Sequence, residues 1–338
     1  MLSSSLGARV FLITAISFAV LLICASALAQ APAARTQAGQ AYPSHEIRFI
    51  VPFPPGGGND AVGRIVAREL QKLFGQEVIV ENRGAAGGTV GTDIVAKAPP
   101  DGYTMLINNI SLAVNATLLP KLPYATQKDL TPVSVVGRQP SVLLVRADLE
   151  AKSVRELLDL ARRNPGQLIY GSGGPGSSSH LATERLLLVS GTRMAHVPYK
   201  GLADAVTDLA NGRVDMVMAT ASTALLQRTN RKVRALAVTT ARRSALFPQL
   251  PTMMEAGVPG YEVSTWYALL VPARTPKQIV MRLNGELGRI AGAAAVKELF
   301  AAQGMDTDHT TPEQARVYIK NEIEKWGKVI KASGIRPQ

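Results

Sequence analysis

The chain has 338 residues, with 37 Lys and Arg against 25 Asp and Glu, a net charge of +12, and a single cysteine, Cys24. One cysteine excludes an internal disulfide framework and a thiolate metal site, and the four histidines, His45, His180, His196 and His309, stand at no ligand spacing, so neither a metal nor a cofactor is expected. The basic residues are scattered, with doublets only at Arg162-Arg163 and Arg242-Arg243, which argues against a nucleic-acid interface and for a positive field that raises encounters with anionic solutes.

Residues 1–29 carry one charge, Arg9, an apolar run from Val10 to Ile23, and the small-x-small triplet Ala27-Leu28-Ala29. This pattern predicts a secretory signal peptide cleaved near Ala29, and hence a periplasmic protein. Residues 30–43 are rich in Ala, Gln and Pro and read as a flexible tether. The remainder, roughly 310 residues, is long enough for its own core and typical of two domains. It contains no further apolar run of spanning length.

From residue 47 the chain reads as strand, glycine-rich loop, helix. The strand is Ile47–Val51, the loop is Pro52-Phe53-Pro54-Pro55-Gly56-Gly57-Gly58-Asn59-Asp60, and the helix runs from Asp60 to Phe74, with Asp60 expected as its N-cap. Glycines before a helix start leave backbone N–H groups uncovered at the positive end of the helix dipole, a seat for an anion. No Lys-Ser/Thr pair follows the glycines, so the loop is not a P-loop and favours a carboxylate or small oxyanion over a nucleotide.

Short apolar runs then alternate with helical patterns. Strands are predicted at 78–81, 104–108, 133–136, 142–145, 168–170, 195–198, 216–218, 233–238 and 267–271. Helices are predicted at 89–96, 153–164, 178–190, 203–211, 276–291, 293–303 and 312–332. Such alternation predicts an α/β fold of mostly parallel sheets flanked by helices. At 168–180 the opening device recurs: Leu168-Ile169-Tyr170, then Gly171-Ser172-Gly173-Gly174-Pro175-Gly176-Ser177-Ser178-Ser179-His180. Two such seats, at the carboxyl ends of strands in two domains, make a clamp.

Other readings of the second loop fail on spacing. Gly171-x-Gly173-x-x-Gly176 has the glycines of a dinucleotide fingerprint, but no acid stands about 20 residues on, where Met194-Ala195-His196-Val197-Pro198 occurs. Ser177, Ser178 and Ser179 beside His180 suggest a serine hydrolase, but no Gly-x-Ser-x-Gly elbow is present. Helix capping and hydroxyl donation to a bound anion are the simpler roles.

Several motifs in order carry a family resemblance: Pro52-Phe53-Pro54-Pro55-Gly56-Gly57 with Asp60, Asn82-Arg83, Gly87-Gly88, Pro100-Asp101-Gly102-Tyr103-Thr104, Lys121-Leu122-Pro123-Tyr124, Ser177-Ser178-Ser179-His180-Leu181-Ala182, His196-Val197-Pro198-Tyr199-Lys200-Gly201, and Glu255-Ala256-Gly257-Val258-Pro259-Gly260-Tyr261. From about Tyr42 onward the chain resembles the Bug family, the extracytoplasmic solute receptors of tripartite tricarboxylate transporters. The resemblance implies a two-domain periplasmic binding protein fold of type II and no enzymatic activity. It implies a monomer that captures a small carboxylate and presents it to the membrane permease subunits. The domains would be 44–141 plus 268–338 and 142–267, with hinge crossings near 141–144 and 267–270. The implied ligand contacts are Phe53, the backbone of Gly56, Gly57 and Gly58, Asn59, Asp60, Asn109, Ser177, Ser178, His180, Tyr199 and Thr220.

Two departures stand out. Relatives usually carry proline where this chain has Gly84, and many carry an acid near 219, where this chain reads Ala219-Thr220-Ala221-Ser222. Without that acid a ligand amino group has no partner, so a plain carboxylate is expected rather than an amino acid. A carboxylate receptor signalling to a sensor kinase, and an exported hydrolase, are the alternative functions.

Overall fold

The computed structural model describes residues 42–119 and 121–335. The segment expected as a signal peptide and nearly all of the expected tether lie outside the described residues. The compact unit is His45–Gln338. Among the described residues no helix is long and apolar enough to cross a membrane.

The first strand, β1 (Ile47–Val51), is buried at four of its five positions, as a central parallel strand covered on both faces must be. It pairs in parallel with β2 (Val78–Asn82) and β3 (Thr104–Asn109), reached through α1 (Gly58–Phe74) and α2 (Thr89–Ala96). Helix α3 (Ser111–Leu118) follows, then the one-turn α4 (Thr126–Asp129) and the long β4 (Leu130–Arg146). A second αβ series comes next. It comprises α5 (Val154–Arg163), β5 (Ile169–Ser172), α6 (Ser178–Ser190), β6 (Ala195–Pro198), α7 (Leu202–Ala210), β7 (Met216–Thr220), α8 (Ala221–Leu226) and β8 (Val233–Val238). The chain returns through β9 (Ser264–Pro272) and ends with α9 (Lys277–Gly292), α10 (Ala294–Ala302), β10 (Asp306–Thr307) and α11 (Pro312–Ser333).

The strand order β2-β1-β3-β9-β4-β7-β5-β6 places two parallel blocks on either side of the antiparallel pair β9–β4. Strand β4 changes partners along its length. From Leu130 to Pro140 it pairs with β9, and from Ser141 to Arg146 with β7 and β8. The runs 133–136 and 142–145, expected as two strands, are therefore one. Arg138-Gln139-Pro140 breaks the apolar pattern without breaking the strand, because Pro140, which has no N–H to donate, occupies the last pair before the switch.

Three short helices, α3, α4 and α8, go beyond the expected elements. In α3 the apolar residues Leu112, Ala113 and Val114 are consecutive and all buried, so no 3.6-residue alternation marks it. The largest fully buried side chains include Trp266 of β9, Trp326 of α11 and Tyr170 of β5. Glu322 of α11 is buried between the first two, accepting from the indole N–H of Trp266 at 2.9 Å and of Trp326 at 3.0 Å, with Lys325 as its ion-pair partner. This network anchors α11 to β9, one of the two strands that join the parallel blocks.

Candidate functional site

Beyond β1 the loop holds itself in place with its own carboxylate. The N-cap of α1 is Gly57, not Asp60, which lies one turn inside. The Asp60 carboxylate reaches back to accept from the Gly56 N–H at 2.9 Å, from Arg64 Nε at 3.0 Å and from Asn82 Nδ2 at 2.9 Å. Burial alone would raise the Asp60 carboxyl, but Arg64, Gly56 and Asn82 outweigh it and hold it below its ordinary value. Gly56, expected as a ligand donor, thus spends its N–H on Asp60. The first-turn N–H groups of Gly58 and Asn59 have no intrahelical partner. Gly58 lies against Tyr267, whose hydroxyl would collide with any Cβ added there. Asn59 is buried, and neither atom of its side-chain amide has a partner.

The second loop is tied more densely. Ser177 caps α6, accepting from His180 N, and donates to Gly174 O at 2.7 Å; Ser179 accepts from Gly173 N at 3.0 Å. His180, expected to donate to a ligand, is buried and accepts the Gly176 N–H on Nδ1 at 3.0 Å, which leaves its proton on Nε2, facing Glu184 at 3.8 Å. It stacks on His196 at 4.2 Å, and His196 stacks on Tyr170 at 4.6 Å. Burial lowers both histidines. His196, further disfavoured by His180, falls to about 4, so the stack is neutral at neutral pH. Ser172 lies 2.7 Å from His196 Nε2, the beginning of a hydrolytic dyad in outline. However, Ser172 is fully buried, its hydroxyl is engaged with the Gly174 backbone, and Glu184 bonds Tyr170 instead of His196. The group supports the loop from beneath.

Above these supports is a cavity of about 410 Å³, within the range of small-ligand sites. Of the expected contacts, Phe53, Asn109, Ser178 and Thr220 line it. Gly56, Gly57, Gly58, Asn59, Asp60, Ser177, His180 and Tyr199 do not. Tyr199 packs beside Gly171 and donates to Asp208 at 2.8 Å. Phe53 is held at the cavity edge by the segment after β2. A Cβ at Gly84 would lie 2.8 Å from the Phe53 carbonyl carbon and Pro54 N, one at Gly88 3.0 Å from Phe53 Cζ, and one at Gly91 2.7 Å from Pro52 Cβ.

The sequence reading did not include Gln139, Thr265, Ser111, Val114, Leu118 and Leu181, all of which also line the cavity. Gln139 and Thr265 pair directly on β4 and β9, while Asn109 pairs with Tyr267 and Thr220 with Ser141. Because alternate residues share a sheet face, Asn109, Thr265, Gln139 and Thr220 form a polar row across four adjacent strands. Ser111, Val114, Asn115 and Leu118, at i, i+3, i+4 and i+7, share one face of α3 and form the cavity wall. No charged residue lines the cavity among the described residues. A second cavity, of about 530 Å³, is bordered by Arg138, Arg242, Asp306 and Tyr318. Arg138 is already bonded to Asp308 at 2.6 Å, and neither glycine-rich loop reaches this space, so the first cavity is the candidate site.

Residues 62–335 match the family described as the tripartite tricarboxylate transporter family receptor. BugT of Bordetella pertussis is 39% identical over 311 residues, covering 91% of this chain and 95% of that protein. The structure of Rpa4515 from R. palustris with adipate is 34% identical with a TM-score of 0.70, covering 88% of this chain and all of that one. A TctC solute-binding protein from Polaromonas, solved with no ligand, is 27% identical with a TM-score of 0.80, covering 86% of this chain and all of that one. The architecture is thus the two-domain periplasmic binding protein fold, and the chain belongs to the Bug, or TctC, family of extracytoplasmic solute receptors.

Proposed function

We propose that this receptor captures a small carboxylate between its two glycine-rich loops and delivers it, as a monomer in the periplasm, to the permease subunits of a tripartite tricarboxylate transporter. The observation that carries the reading is the convergence on one cavity of neutral polar groups from both parallel blocks: Asn109 from the first, Ser178 and Thr220 from the second, and the β4–β9 floor between. A desolvated carboxylate gains most from such preorganised donors, each charge-assisted bond contributing about 1.5–3 kcal/mol. The proposed contacts are Phe53, Asn109, Ser178 and Thr220, which line the cavity, joined on closure of the clamp by the N–H groups of Gly57 and Gly58, which do not line it in the present arrangement. Asp60, Ser177 and His180 act through the loops they hold.

The proposed domains are 44–141 plus 268–338 and 142–267. The partner change of β4 at Pro140–Ser141 supports a hinge there, and closure would add contacts that only the ligand-bound state makes. Adipate bound to a relative of this similarity also favours a carboxylate here.

Gly57→Asp tests the reading. The position is open, with extended φ and ψ, and an aspartate there would cap α1 with the protein's own carboxylate. The expected result in calorimetric titration is loss of carboxylate binding with the melting midpoint held or raised. Unchanged affinity would count against the assigned seat.

A further inference from the structure

Apart from the amide of Asn115, the polar side chains that line the cavity gather at one end. Along α3 the lining residues run Ser111, Val114, Leu118, and on α6 they run Ser178, Leu181. On both helices the polar residue stands in the first turn and the apolar ones follow one or two turns later. The stripe from Ser111 to Leu118 covers about 10 Å at 1.5 Å per residue. At its start lies the polar row of Asn109, Thr265, Gln139 and Thr220. At its far end Leu118 packs on the same apolar cluster that contains Ile110, Val114 and Leu181. Asn115, the one amide in the stripe, already donates to Gly87 O at 2.9 Å. A second carboxylate carried to the Leu118 end would lose its hydration and meet no cation, a large cost for a buried charge.

We infer that the ligand is an amphipathic monocarboxylate, an acid with an apolar aliphatic or aromatic body lying along α3, and not a di- or tricarboxylate. This rests on the carboxylate-receptor reading and narrows it. The carboxylate sits on the polar row between the two helix starts, and the body fills the space between Val114, Leu118, Leu181 and Phe53. Leu118 determines specificity, because it lines the cavity at the apolar end of the stripe.

Hexanoate and adipate match in chain length and differ by one carboxylate, so their affinities for the wild-type protein, measured by calorimetric titration with 3-phenylpropionate and citrate alongside, decide the point. The expected result is tighter binding of hexanoate or 3-phenylpropionate than of adipate and citrate, by about tenfold or more. In Leu118→Arg the added guanidinium should shift the hexanoate-to-adipate ratio toward adipate by a similar factor, with Leu118→Gln intermediate. Adipate or citrate binding as tightly as hexanoate to the wild type would overturn the inference while leaving the receptor reading intact. Binding of none of the four acids would overturn both.

Discussion

Gly84 shows how a single residue without a side chain sets the shape of the site. Any residue but glycine would carry a Cβ that sits 2.8 Å from the backbone of Phe53 and Pro54. The loop after β2 therefore lies close against the first glycine-rich loop and fixes Phe53 at the cavity edge. Gly84→Ala should push Phe53 and Pro54 outward, costing about 1–3 kcal/mol of stability by overpacking and weakening ligand binding. Denaturant melts and titration together check this, and a variant of wild-type stability and affinity would contradict the close approach. The stacked pair His180–His196 gives a pH signature. Burial depresses both, so as pH falls below the ordinary histidine value of about 6.5 the unfolded chain takes up protons that the folded one refuses. Stability is complete above that value and declines as pH falls toward about 4, the value of His196. Thermal midpoints recorded across this window should fall less steeply in His196→Gln than in the wild type. Equal slopes would mean that His196 is not buried neutral.

At the scale of elements, α11 has the largest mechanical role. It packs on α3 and α6, the two helices whose inner faces line the cavity, and its Glu322 ties Trp326 to Trp266 of β9. Glu322→Leu would leave two buried indole N–H groups without acceptors, at a cost of about 2–4 kcal/mol, whereas Glu322→Gln keeps an acceptor and should cost less. Urea unfolding of the two variants separates them; equal losses would mean that packing, not hydrogen bonding, dominates. Much at this scale was legible in the sequence. The loop-to-helix devices at 52–60 and 171–180 could be read because glycine, proline and serine act locally. Helix α11 could be read from Thr311 and Pro312, which form its capping start. Helix α3 could not, since its buried face is too broad to alternate, and with it went the cavity wall of Ser111, Val114 and Leu118. His180 and Gly56, expected to face a ligand, each make a bond within their own loop. Whether an N–H or a ring nitrogen faces the ligand or its own loop depends on contacts such as Asp60 with Asn82, 22 residues apart, which spacing does not encode.

For the whole molecule, two parallel blocks share the β4–β9 pair, and the cavity opens where the carboxyl ends of both blocks meet that pair. Under the proposed reading, a ligand that touches Asn109 on one side and Ser178 and Thr220 on the other would favour whichever arrangement of the blocks lets it reach both. The alternation of strands and helices disclosed this architecture in advance, while the fusion of two expected strands into β4 did not follow from it, since polar residues where a strand changes partners resemble its end. In the proposed reading the cleft selects a carboxylate. That selectivity is tested most directly by thermal-shift measurements on the protein with matched pairs of carboxylic acids and their primary amides. At least one acid should raise the melting midpoint, by an amount equivalent to roughly 2.7 kcal/mol at a hundredfold excess over its Kd, and its amide should not. Amides that stabilise as well as their acids, or a panel in which no acid stabilises at all, would contradict it.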